Sequence, residues 1–117
     1  MSATCLRILD GQTLTEQQAP ASAGALDLGD YDQLELVISV TTAGTADEGT
    51  APALVLQHSP SSGGEVLLEF PTPVSVDLTI TGNTWIHVPY FTRWLFWSTS
   101  GALSSAATVS VDVVGRR

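Results

Sequence analysis

The sequence predicts an all-β protein, specifically an antiparallel β-sandwich of jelly-roll type. The longest stretches without Gly or Pro, residues 30–43 and 102–114, both alternate apolar and polar side chains with period two. Thr, Val and Ile supply 29 of the 117 residues, and branching at Cβ favours a pleated strand over a helix. Ten Gly and six Pro punctuate the chain into short segments, as in sandwiches with turns every 8–12 residues. A chain of this length is expected to form one domain, residues 1–117.

Nine segments are predicted as strands because apolar or Cβ-branched residues alternate between turn signals. The clearest is residues 33–41, in which Leu34, Leu36 and Ile38 fall on one face. The nine segments are residues 6–9, 25–28, 33–41, 53–58, 65–70, 74–80, 84–88, 91–97 and 107–114.

The connections between these segments follow from turn chemistry. Residues 42–52 are predicted as an exposed loop, and residues 59–64 as a hairpin turn leading into the strand at 65–70. Pro71 and Pro73 cannot donate to a sheet ladder, so we expect a crossing between sheets or an edge there. Residues 81–83 are predicted as a turn. Residues 12–24 are the least patterned and are predicted to form an extended arm or a loop.

The charge balance restricts the partners. Twelve acidic residues against four Arg give a net charge of −8, which argues against binding to nucleic acid or to an anionic membrane. Residues 1–11 do not fit a secretory signal peptide, and no apolar run approaches the length of a membrane-spanning helix. We therefore expect synthesis in the cytoplasm.

The residues do not indicate an enzyme, a cofactor or a metal site. His58 and His87 have no nucleophile at a recognisable spacing, so a structural or surface role is expected for both. Ser59 and Ser100 are not in a G-x-S-x-G turn. Cys5 is expected to be a buried, inert thiol.

Asp27, Asp30 and Asp32 are the best metal candidate, because carboxylates spaced three and two apart in a turn can supply oxygens to Ca²⁺. They lack the spacing of an EF-hand loop. The favoured interpretation is a solvated turn that caps strand ends.

Aromatic residues are concentrated near the C-terminal third: six of the eight fall within residues 85–97. On a strand, Phe91, Leu95 and Trp97 would point one way, and Trp94 and Phe96 the other, which makes both faces apolar. Three interpretations remain open: a strand buried on both faces, a subunit interface, and an aromatic platform that stacks on sugar rings.

Five short motifs between residues 26 and 115 occur in an order that is typical of a known class of protein. They are LDLGDYDQLEL at residues 26–36, LVLQHSP at 54–60, the Thr84-Trp85 pair, RWLFW at 93–97 and TVSVDVVG at 108–115. In this order they resemble small virion proteins of tailed bacteriophages, in particular head decoration or cement proteins. The resemblance implies a structural protein that binds the outer surface of the major capsid protein shell and stabilises it.

That resemblance sets the expectations for partners. It implies location on the outside of the capsid, contact with the major capsid protein, and self-association, with a homotrimer as the expected state. Four Arg would pair with carboxylates of a partner, and aromatic side chains would supply the apolar contact. The candidate interface comprises Phe91, Arg93, Trp94, Phe96, Trp97, Arg116 and Arg117. The alternative function is a carbohydrate-binding β-sandwich module that uses surface Trp residues.

Overall fold

The alternating segments form strands whose apolar positions face a common interior. A computed structural model describes residues 3–14, 26–101 and 103–117, and within these ranges it contains ten strands and no helix. The strands are β1 (Ala3–Leu14), β2 (Leu26–Asp27), β3 (Gln33–Thr42), β4 (Thr45–Ala46), β5 (Ala53–Ser59), β6 (Val74–Asp77), β7 (Gly82–Val88), β8 (Trp94–Ser100), β9 (Leu103–Ser105) and β10 (Ala107–Arg116).

Eight of these strands make two four-stranded antiparallel sheets, which confirms the predicted β-sandwich. Sheet 1 has the order β1-β10-β3-β7, and sheet 2 has the order β2-β8-β5-β6. β4 and β9 form a small separate ribbon. Among the eight, consecutive strands lie in different sheets except for β5 and β6, which are neighbours in sheet 2. This alternation is compatible with jelly-roll topology, which stays a prediction.

The core lies between the inner faces of the two sheets. Leu36 and Ile38 of β3 and Val111 of β10 are fully buried from sheet 1, and Leu54 and Leu56 of β5 face them from sheet 2. Each such side chain contributes about 1.5–3 kcal/mol when it is removed from water. Since side chains alternate along a strand, the period-two pattern alone placed Leu36 and Ile38 on one face of β3 and Val111 on one face of β10.

One predicted loop and one predicted turn differ in the structure. Residues 42–52 are not purely loop, because β4 pairs with β9 there. The turn predicted at residues 81–83 lies earlier: the Asp77 carboxylate accepts hydrogen bonds from the N–H and hydroxyl of Thr79, at 2.8 and 2.7 Å. These hydrogen bonds stabilise a turn at residues 78–80. Gly82 and Asn83 therefore belong to β7.

The strand predicted at residues 65–70 is wrong. Only Leu68 forms a bridge, exchanging two backbone hydrogen bonds of 3.0 and 2.8 Å with His58. The rest of this segment is a loop that folds over sheet 2. Pro71 and Pro73 follow it and lead into β6, an edge strand of that sheet, as the missing proline donors predict.

The N-terminal strand is longer than predicted. β1 continues to Leu14, so residues 12–14, predicted as the beginning of an arm or loop, belong to the sheet. Residues 15–24 of that predicted arm lie outside the described residues. In the described part of the chain, no helix is long and apolar enough to cross a membrane.

Candidate interaction surfaces

The aromatic strand begins later than predicted. Residues 91–93 are not in β8, because the backbone N–H of Thr92 donates to the side-chain Nδ1 of His58 in β5, at 3.0 Å, instead of to a backbone C=O of that strand. The C=O of Arg93 accepts from the N–H of Leu28, at 2.6 Å. β8 then starts at Trp94, whose predicted alternation holds.

Both faces of β8 carry apolar side chains, and other parts of the same chain lie against both faces. Leu95 and Trp97 point inward, opposite His58 and Leu56 of β5, and Trp97 packs against the core. Phe96 points outward yet is only 2% exposed. The structure therefore supports the interpretation of a strand buried on both faces.

The cover over Phe96 is the loop at residues 60–69. Gly64 of this loop has φ of +68°, and a Cβ added there would lie 3.0 Å from Cζ of the Phe96 ring and 3.6 Å from Leu67. Only a residue without a side chain allows so close an approach in that conformation. The loop therefore covers Phe96 in this chain, and the role of Phe96 as an interface residue stays a prediction.

Trp94 lies on the same outer face, half-buried beside an ion pair. The Arg93 guanidinium donates two hydrogen bonds of 3.0 Å to the Asp27 carboxylate, and its Cζ lies 5.4 Å from the centre of the Trp94 ring. The Arg93 hydrogen bonds, with a further one from the N–H of Gly29, hold the pKa of Asp27 below its ordinary value. Asp27 in turn raises the pKa of Arg93.

An open groove of about 630 Å³ lies next to this pair, between the turn at residues 28–32 and the loop at residues 89–93. Tyr90 stands at its rim and is 74% exposed. Phe91 lines the groove and packs partly against the core. The groove therefore places aromatic rings beside the exposed carboxylates of Asp30 and Asp32.

The acidic turn itself is used internally. Asp27 accepts the N–H of Gly29 at 2.9 Å, which is the capping role that the favoured interpretation predicted. The Asp30 carboxylate lies 3.6 Å from the Arg117 guanidinium. Across the described ranges, no group of three or more His, Cys, Asp or Glu side chains is arranged to hold a metal ion.

Each of the four Arg side chains forms an ion pair within the chain. The shortest contacts are Arg7 to Asp112 at 2.7 Å and Arg116 to Glu35 at 3.1 Å, besides those of Arg93 and Arg117 already described. Arg116 ends β10, and Arg117 donates to the backbone C=O of Asp30 at 2.7 Å, so neither belongs to a free tail. The role of these residues as anchors for a partner stays a prediction, and each would have to exchange or share its internal carboxylate.

His58 has the structural role that was predicted. It is 7% exposed, and its ring lies 4.8 Å from that of Phe70. Because Nδ1 accepts the Thr92 N–H, Nε2 is the nitrogen that donates to the backbone C=O of Glu69, at 3.2 Å. His87 is exposed on β7.

Cys5 is exposed, so the prediction of a buried thiol is wrong. It pairs with Val114 on β10, and both side chains lie on the outer face of sheet 1. The strand predicted here covered only residues 6–9, so the face of Cys5 could not be assigned from alternation.

Two exposed aromatic residues were not included in the predicted interface. Trp85 is 71% exposed on the outer face of β7, and Tyr90 follows that strand. The exposure of Trp85 could have been predicted from the sequence. Asn83, Trp85 and His87 lie on one face of a strand, and the two polar residues indicate that this face contacts solvent.

No protein-family model matches this chain, and no curated protein matches it significantly by sequence. Its fold is similar to that in the crystal structure of the SPBc2 prophage-derived protein YomS, with a TM-score of 0.54, 12% identity, and coverage of 97% of this chain and 94% of that one. A second similar structure is described as Bacillus endospore appendages that form a novel family of disulfide-linked pili. The alignment with it covers 100% of this chain and 93% of that chain, at 13% identity and a TM-score of 0.39. That second value is too low to support an argument. At such low identity, the similarity to YomS concerns the fold.

Proposed function

We propose that this chain is a structural protein of a bacteriophage virion, a decoration protein that binds the outer surface of the major capsid protein shell and stabilises it. The observation that supports this most is the fold similarity to a prophage-derived protein, because it extends over nearly the full length of both chains. The motif order at residues 26–36, 54–60 and 93–97 resembles the same class of protein.

The chemistry of the surface is consistent with this function. With a net charge of −8, the protein is repelled by DNA in the capsid interior and suited to the exterior. Trp94 is the best candidate for an apolar contact with the shell among the predicted interface residues, since Phe96 is covered and Trp97 packs against the core. Exposed ion pairs contribute only about 0.2–1 kcal/mol each, so the aromatic contact should dominate retention.

The proposal predicts that a major capsid protein gene lies near the gene for this chain. It is tested by adding purified protein to empty shells of that capsid protein and measuring occupancy by co-sedimentation across a salt series. We expect Trp94→Ala to lower occupancy at all salt concentrations, and the Arg116→Ala/Arg117→Ala double variant to lower it slightly at low salt only. Val66→Ala is the control, because Val66 is an exposed apolar residue outside both the predicted interface and β7. Absence of wild-type binding to these shells would refute the proposal, and loss with the Arg variant alone would show that the aromatic contact is wrong.

A carbohydrate-binding module is the second candidate, favoured by the groove in which Tyr90 and Phe91 lie near Asp30 and Asp32. An aromatic face can stack on a sugar ring while carboxylates accept hydrogen bonds from its hydroxyls. A glycan array separates the two: binding that is abolished by Tyr90→Ala and retained by Trp94→Ala would favour the carbohydrate function.

A further inference from the structure

The outer strands of the two sheets differ in how they are protected against pairing with another chain. An exposed sheet edge offers unpaired N–H and C=O groups, and proteins shorten, bend or charge such strands to prevent association. In the described residues, β2 has two residues, and β6 has four, follows Pro71 and Pro73, and ends in Asp77. β1 carries Arg7 and two register shifts against β10. Three of the four edges are therefore protected.

β7 has none of these features. It has seven residues, and its register against β3 is unbroken from Val88 opposite Leu34 to Gly82 opposite Val40. Residues 80–90 contain no Asp, Glu, Lys or Arg, and the only proline among them, Pro89, follows the strand. Within the described residues, its only strand neighbour is β3.

The same edge carries the most exposed apolar side chains in the described part of the chain. Ile80, Trp85 and Tyr90 are 63%, 71% and 74% exposed, and they precede, centre and follow β7. Their spacing is symmetric about Trp85, with five residues on each side.

We propose that β7 is a self-association edge, at which a second copy of this chain adds antiparallel to form one continuous eight-stranded sheet. A two-fold axis at Trp85 places this residue opposite Trp85 of the second copy, Asn83 opposite His87, and Ile80 near Tyr90. A two-fold contact must be self-complementary, and this register brings aromatic, polar and apolar residues onto like partners without opposing any two formal charges.

The distribution of charge permits a second copy at this edge. Two chains of −8 repel one another over most of their surface, and residues 80–90 are a stretch from which acidic groups are absent. The contact is two-fold, so it differs from the threefold arrangement that the phage resemblance implies. It also does not depend on a capsid, because it requires only this chain.

The first experiment is sedimentation equilibrium of the isolated protein over a concentration series. We expect a reversible dimer, and we expect Trp85→Asp to weaken association by about tenfold or more, since it removes the aromatic pair and sets two like charges opposite each other. Val66→Asp is the matched control, because Val66 is also an exposed apolar residue, at 55%, and lies away from β7. A wild-type protein that remains monomeric, or an oligomer unaffected by Trp85→Asp, would overturn the proposal.

The second experiment tests the register, using introduced cysteines in a Cys5→Ser background that removes the exposed native thiol. The double variant Asn83→Cys/His87→Cys keeps Trp85 and places thiols of the two copies opposite each other, and we expect a disulfide-linked dimer under mild oxidation. Asn83→Cys alone places the two thiols about 13 Å apart along the strands, too far for a disulfide, and should remain monomeric on a non-reducing gel. Equal cross-linking of both variants, or none with the double variant, would contradict this register. Shell occupancy, measured separately, decides the proposed capsid function whichever result is obtained here.

Discussion

Phe96 and Trp85 are aromatic residues on the outer faces of the two sheets, and they have opposite environments. Phe96 is 2% exposed because the loop at residues 60–69 lies over it, whereas Trp85 is 71% exposed on an edge strand. Both belong to the same aromatic-rich stretch of sequence. A concentration of aromatic residues therefore does not identify a surface by itself, since a loop from elsewhere in the chain decides which of them a partner can reach.

The largest expected difference comes from truncating these two side chains. Phe96→Ala should lower the free energy of unfolding by about 3–5 kcal/mol, because it leaves a cavity under the loop. Trp85→Ala, measured at low protein concentration, should change it by about 0.5 kcal/mol or less. Urea denaturation followed by circular dichroism measures both. Similar losses for the two variants would show that the loop does not cover Phe96 as described.

The loop itself is tested at Gly64. Gly64→Ala should destabilise the protein by about 1–3 kcal/mol, because a non-glycine residue is strained at positive φ and its Cβ would press on the Phe96 ring. Gly49→Ala is the matched control: its φ is +79°, but an added Cβ would meet nothing within 4 Å. The loss should therefore be smaller at Gly49. Equal losses in thermal denaturation would attribute the effect to backbone strain alone.

The two histidines repeat the contrast between a covered and an exposed position. His58→Leu should cost about 1–3 kcal/mol, because it leaves the Thr92 N–H and the Glu69 C=O without their partner near the core. His87→Leu, on the exposed face of β7, should change stability by about 0.5 kcal/mol or less. Chemical denaturation at pH 7 compares them, and a larger loss at His87 would be inconsistent with the structure.

The smallest effect is expected at the ion pair beside Trp94. The pKa of Asp27 is lowered from 3.8 in the folded chain, so its contribution to stability is present above pH 3.8 and is lost as the pH falls through the folded value. Asp27→Asn should be less stable than the wild type at pH 7, and this difference should shrink below pH 3.8. Arg93→Gln should show the same pH dependence. A difference for Asp27→Asn that is unchanged at low pH would exclude ionisation as its source.

Much of the fold could be predicted because strand formation is a local property. The alternation in β3 and β10 identified both strands and their buried faces, and the prolines at residues 71 and 73 identified a sheet edge. The strand at residues 65–70 was wrong because its apolar residues have local strand propensity, but the segment instead covers Phe96. Cys5 was misassigned because the strand predicted there covered only residues 6–9.

The sequence by itself determined the fold class, the inward faces of the long strands and the acidic character of the surface, since these depend on side-chain type and period-two geometry. Only the tertiary structure decided which residues a partner can reach. Exposure of Trp85, burial of Phe96 and the internal pairing of each Arg depend on contacts between residues far apart in the chain. Such contacts have no periodic signature, and the unprotected edge of β7 became visible only once the order of strands in sheet 1 was known.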